Sequence, residues 1–179
     1  MRYEQEYVEL HQKHPDIFTG RSTYEHKDRI ANLIELTGSS TVLDYGCGKG
    51  KQYTIDQYDL YWGVEVDCYD PAVDIYKTLP DKKYDGVIAI YVMEHIPEEE
   101  VDEVLEKIFS RAEKFVYLAI DDFEGRRTFS DGVTKIHVCL RSQEWWDDKV
   151  RQHNKNNVFV AGKLVSDYPH KLKLSGFNY

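Results

Sequence analysis

Asp44, Gly46, Gly48 and Gly50 are the residues whose types and spacing are best suited to chemistry. They follow the apolar run Thr41-Val42-Leu43, first with an acid and then with glycine at every second position. Such a segment reads as a strand that breaks into a tight turn where main chain comes close to something. Glycine supplies the unusual dihedral angles, and its missing side chain leaves room for a ligand against the backbone. Two phosphate-binding patterns fail on spacing. A dinucleotide turn, G-x-G-x-x-G, would need glycine where Lys51 stands; a P-loop would need glycine at Tyr45 and Ser or Thr at Gln52. Further along stand three acids near the end of a second apolar run, Glu65, Asp67 and Asp70, then the pair Glu94-His95, and later His137.

The pattern Asp44-x-Gly46-x-Gly48-x-Gly50, with the small Cys47 inside it, resembles the first motif of the class I S-adenosylmethionine-dependent methyltransferases. The resemblance implies that the turn Tyr45, Gly46, Cys47, Gly48, Gly50 passes under the methionine part of the cofactor, with Asp44 close by. It also implies that an acid at the end of the second strand takes both ribose hydroxyls, since a carboxylate accepts two hydrogen bonds at once. Glu65, Asp67 and Asp70 compete for this role. Asp70 is preferred because Asp70-Pro71 starts a turn at the carboxyl end of the strand, and Asp67 is second.

Tyr84 to Ile96 resembles the fourth-strand motif of many small-molecule methyltransferases, which ends in Leu-Glu-His; Met93 stands in the leucine's place, and Tyr91 is expected beside the cofactor. His95 is the candidate base for an acceptor, because an imidazole titrates near neutral pH. Glu94-His95 with His137 also resembles the metal-binding set of small-RNA 2′-O-methyltransferases. Those enzymes carry a further glutamate where this chain has Tyr91, so no metal ligands are assigned. Phe-x-Gly-x-Ser near the front, the glycine turn, and His-Val before a tryptophan pair are similar to small phage and bacterial methyltransferases of unassigned substrate.

The elements that must position these residues follow from periodicity and punctuation. Residues 3 to 13 read as a helix ending before Pro15, and a second helix from near Thr23 carries Ile30, Leu33 and Ile34 on one face and stops at Gly38. After Gly50 there is room for two helical turns before a strand at Gly63 to Cys68. Residues 71–83, with Leu79-Pro80-Asp81 inside, are too few for a helix and a buried strand, so a reduced sheet edge and an altered adenine pocket are expected. Val87 to Ile90 reads as a strand buried on both faces. Pro97 and Glu98 to Glu100 open a helix with the stripe Val101, Val104, Leu105, Ile108, Phe109. Lys114 to Ile120 is the fifth strand, ending in Asp121-Asp122. Arg126, Arg127, His137, Trp145 and Trp146 follow where the family builds its acceptor pocket, and Ser142 caps a helix. Val158-Phe159-Val160 and Lys171 to Leu174 read as an antiparallel hairpin.

Together these predict an α/β, Rossmann-like three-layer sandwich in one methyltransferase domain over 1–179. Residues 1–38 would cover the cofactor site, 39–120 form the cofactor-binding core, and 121–179 supply the acceptor side and a terminal hairpin. In such a sheet, ligands bind outside the carboxyl ends of the strands. The net charge of -9 disfavours nucleic acid as a partner, three cysteines without C-x-x-C spacing suit a reducing cytoplasm, and no apolar run is long enough to span a bilayer. The expectation is a cytoplasmic enzyme moving a methyl group from S-adenosylmethionine to a small-molecule acceptor, with no membrane partner and an oligomeric state left open. The rivals are a non-catalytic binding module of the same fold and a metal-assisted RNA 2′-O-methyltransferase.

Overall fold

Residues 3–165 are described by the computed structural model. In chain order they form α1 (Glu4–Lys13), a 3₁₀ turn (Ser22–Glu25), α2 (Lys27–Thr37), β1 (Thr41–Tyr45), α3 (Lys51–Thr54), α4 (Tyr58–Trp62), β2 (Glu65–Tyr69), β3 (Tyr84–Ile90), two further 3₁₀ turns (Met93–His95 and Glu98–Glu100), α5 (Val101–Arg111), β4 (Ala112–Asp121), α6 (Gln143–His153) and β5 (Phe159–Val165). The strands make one sheet in the order β2-β1-β3-β4-β5, every neighbouring pair parallel. This is the expected Rossmann-like α/β fold.

Burial on both faces explains the unbroken apolar strands. Along β3, Val87 and Ala89 face the layer made by α5 and α6, while Ile88 and Ile90 face α2 and α4. β4 repeats the division, with Val116, Leu118 and Ile120 on one side and Phe115, Tyr117 and Ala119 on the other. All five residues of the predicted stripe on α5 are buried, each contributing about 2 kcal/mol of apolar transfer. Gly38 ends α2 in the left-handed region, and Ser142 Oγ accepts from Trp145 N at the start of α6.

One expectation changes, and one strand gains its place in the sheet. The helical stretch after the glycine turn is split into the single turns α3 and α4, so it runs past Tyr58 and delays β2 to Glu65. The segment read as the first half of a hairpin becomes β5, which pairs parallel with β4 from Phe115↔Phe159 to Asp121↔Val165. The physical reason is the crossover through α6, which returns the chain to the same end of the sheet before β5 begins. The second half of the expected hairpin, 171–174, lies outside the described residues. The reduced edge is present: 71–83 contain neither helix nor strand, and β2 is the outermost strand on that side.

The chain steps outward from β1 to β2 and then crosses back to β3 on the other side of β1. That reversal opens a crevice at the carboxyl ends of β1 and β3. α1 does not join either helical layer. With the segment 123–140 it builds a smaller cluster, Leu10, Phe129 and Ile136 with Tyr3, Tyr7 and Phe18 against them, beside that crevice. No helix among the described residues is long and apolar enough to cross a membrane.

Candidate active site

β1 delivers the glycine turn to the crevice, and the turn is held by protein on every side. Gly46 N and Cys47 N donate to Tyr69 O at the end of β2, at 2.7 and 3.1 Å. Gly48 N donates to Asp70 Oδ2 at 2.9 Å, and Gly50 N to Cys47 O. A loop ahead of α2 takes the rest. Lys49 N, Lys51 N and Gln52 N donate to Phe18 O, Thr19 O and Gly20 O at 3.0, 3.1 and 2.8 Å. Lys49 Nζ reaches the carbonyls of His14, Pro15 and Ile17. Gly20 and Gly48 lie against each other's loops, both at positive φ. A Cβ on Gly20 would sit 2.1 Å from Cys47 O, and one on Gly48 would sit 2.5 Å from Phe18 O. The close approach that the glycines allow is therefore to this loop. No amide from Gly46 to Gln52 is left to cradle a phosphate, which agrees with the failure of both phosphate-loop patterns.

The two acids divide their work. Asp44 is buried behind the turn, where Gln52 Nε2 and Tyr53 Oη donate to its Oδ2, the latter at 2.8 Å. Burial, with the nearby charge of Asp70 adding, pushes its carboxyl up to about 7 against the pull of those two donors. Asp70 instead lines a cavity. Its two oxygens accept from Gly48 N and Ala72 N, each at 2.9 Å, which leaves one lone pair on each oxygen. Burial raises this carboxyl too, and the two amides pull it back. Asp67, the second choice, is turned to the outer edge, where it meets Lys82 Nζ and Tyr84 Oη at 2.7 Å each.

The cavity fills the crevice and spans about 830 Å³ including its open solvent mouth. Of the sequence-predicted residues, Tyr45, Gly46, Gly48, Asp70, Tyr91 and His95 line it. Asp44, Cys47 and Gly50 are not among its walls; they support the turn from behind. Gly50 packs under Tyr76 Oη. Tyr91 takes a positive φ of 56° at the end of β3, an unusual conformation for a bulky residue and a mark of a functional corner. It is fixed by Tyr91 N donating to Ala119 O at 2.7 Å and by its hydroxyl 3.1 Å from Nε2 of the buried His26, whose Nδ1 meets Tyr117 Oη.

Sequence reasoning did not single out the cavity-wall residues at and before α1, Tyr3, Glu4, Tyr7 and His11. The surplus of tyrosines was the available signal. Tyr7 Oη donates to Ile136 O at 2.9 Å, and the same carbonyl is 2.9 Å from His95 Nδ1. The Nδ1 of His95 therefore carries the proton and Nε2 the lone pair. Burial pulls His95 down to about 4, so it is neutral at physiological pH. His137 has the same form, Nδ1 2.8 Å from Phe123 O, and its ring lies edge-on to His95 at 4.9 Å. Glu94 is fully buried, and neither of its oxygens has a hydrogen-bond partner among the described residues. Burial, then the charge of Asp121, drive its carboxyl well above the usual range. The backbone amides of Glu94 and Asp121 oppose this from outside hydrogen-bond geometry.

Comparison with curated proteins gives no match. A family model for a methyltransferase domain matches residues 11–166, from α1 through β5 and across every wall of the cavity except Tyr3, Glu4 and Tyr7. With the fold, the glycine turn at the switch point and this match together, the chain belongs to the methyltransferase-domain family and is an enzyme of methyl transfer.

Proposed function

We propose that the chain transfers the methyl group of S-adenosylmethionine to a small-molecule acceptor. One observation carries the choice of cofactor. The turn at the carboxyl end of β1 has all its amides occupied, while the buried carboxylate of Asp70 is held between that turn and the cavity with a lone pair free on each oxygen. That arrangement suits a neutral diol such as a ribose and does not suit a pyrophosphate. When bound, the cofactor supplies an electrophilic methyl on a sulfonium, so the protein needs no nucleophile of its own. Positioning contributes much of the rate in such a displacement.

Asp70 would accept the ribose hydroxyls, and Tyr45, Gly46 and Gly48 would bound the methionine side. Tyr91, held at its strained corner, would set the wall between cofactor and acceptor. His95 stands on the acceptor side with a neutral Nε2 that can accept a hydrogen bond from an acceptor's proton, although burial makes it a weaker base than an imidazole that titrates near neutrality. A net charge of -9 supports a small acceptor over a nucleic acid, and the three unpaired thiols Cys47, Cys68 and Cys139 support a reducing, cytoplasmic compartment.

Calorimetric titration of S-adenosylmethionine and S-adenosylhomocysteine into the wild type and Asp70→Asn tests the reading. Binding to the wild type that weakens in the variant supports it. No binding of either compound to the folded wild type overturns it.

A further inference from the structure

Glu94, His95 and His137 bring one ligand atom each to within 4.8 Å of one another. Both imidazoles spend Nδ1 on a backbone carbonyl, His95 on Ile136 O and His137 on Phe123 O. This outer hydrogen bond fixes the ring and the tautomer and leaves Nε2 as the donor atom, the arrangement by which proteins hold metal-ligating histidines. The third member is a fully buried carboxylate whose two oxygens find no hydrogen-bond partner among the described residues. A buried polar group left in that state normally has a partner. The turn that presents the cluster is itself fixed: Val138 N and Cys139 N donate to Glu94 O at 2.8 and 3.1 Å, tying the His137 segment to the Glu94 turn.

We propose that Glu94, His95 and His137 form a binding site for a divalent first-row transition-metal ion at the wall of the cavity. Two imidazole nitrogens with one carboxylate suit zinc, manganese, iron or cobalt better than magnesium or calcium, which prefer all-oxygen shells. Bonds of about 2.1 Å in a tetrahedral shell put ligand atoms about 3.4 Å apart, so a pair as far apart as 4.8 Å must close by about 1.4 Å, a shift within reach of a side-chain rotation. Three protein ligands leave positions open on the ion, and His95 belongs to both the cluster and the cavity wall. The site puts positive charge on the acceptor side of the pocket. Its existence does not depend on the methyl-transfer reading.

The test is a titration of chelator-treated full-length protein with Co²⁺ alone, followed by visible ligand-field absorption, in the wild type, His137→Ala and Glu94→Gln. Expected is one equivalent bound by the wild type, with affinity at least about tenfold weaker in each variant. Zn²⁺ should also raise the unfolding temperature of the wild type and not of His137→Ala. Absence of ligand-field bands in the wild type overturns the proposal, and so does equal binding by both variants. If Glu94→Gln does not fold, His137→Ala, altered in a loop, decides alone. Because S-adenosylmethionine is absent from this titration, its outcome is separate from that of the cofactor calorimetry.

Discussion

The carboxyl ends of β1 and β3 lie side by side, and they treat their polar groups in opposite ways. After β1, every amide from Gly46 to Gln52 has a protein acceptor, and Asp44 has two donors. After β3, the chain passes through a strained Tyr91 to a buried Glu94 whose oxygens have no hydrogen-bond partner among the described residues, and to His95, whose Nδ1 is spent on Ile136 O. At the first end the main chain is satisfied from within, and the polar atoms left buried without a partner among the described residues are the side-chain Tyr45 Oη and Gln52 Oε1. The second is held open, and its polar atoms find no partner among the described residues. A site that must grip one ligand in a fixed pose and activate another has use for both kinds of ending.

Four measurements press on this contrast, from the largest expected effect to the smallest. Asp44 has a folded-state value of about 7 against 3.8 unfolded. Its contribution to stability is present below the unfolded value and is lost as pH rises toward the folded one, by up to roughly 4 kcal/mol. Asp44→Asn should flatten the decline of the urea midpoint between about pH 4 and 7; an unchanged slope would mean that Asp44 is ionised and well solvated by its two donors. Next, Gly20→Ala puts a methyl group into Cys47 O at a positive φ, and about 3 kcal/mol of destabilisation is expected in urea. A silent substitution would show that the loop over the turn is not the clamp described. Asp70→Asn removes the charged acceptor and should weaken S-adenosylhomocysteine binding by about tenfold to a hundredfold in calorimetry. Smallest, and opposite in sign, is Glu94→Gln in metal-free protein above neutral pH. Removing an unpartnered buried carboxylate there should raise stability by about 1 to 2 kcal/mol. A loss of stability would place a structural hydrogen bond at Glu94 and erase the contrast.

What was readable in the sequence divides along the same physical line. Strand β3, the stripe on α5, the stop at Gly38 and the cap at Ser142 are local patterns, set by residues a few positions apart, and each appears where the pattern put it. Asp70 at the cavity was legible because an Asp-Pro after a strand has only a few ways to turn. The glycines were legible as a close approach, but not the partner of that approach, since Phe18 to Gly20 lie about thirty residues upstream and carry no periodicity. The place of β5 in the sheet was not legible for a related reason: alternation marks a strand, whereas its neighbour and direction depend on the crossover through α6. The pairing of Glu94-His95 with His137 was visible as residue types, but the empty hydrogen-bonding capacity of Glu94 is a property of packing alone.

The shortened side of the sheet has one more consequence. β2 ends the sheet there, and an unpaired strand edge is a template on which a second chain can add. The carboxylates at Glu65 and Asp67 lie two residues apart along that edge, and Asp67 is already engaged by Lys82 and Tyr84. A like strand docking there would bring carboxylates against carboxylates on a chain that already carries a charge of -9. Charged side chains on an edge strand disfavour the addition of a like strand, so the exposed side of β2 carries part of its own protection.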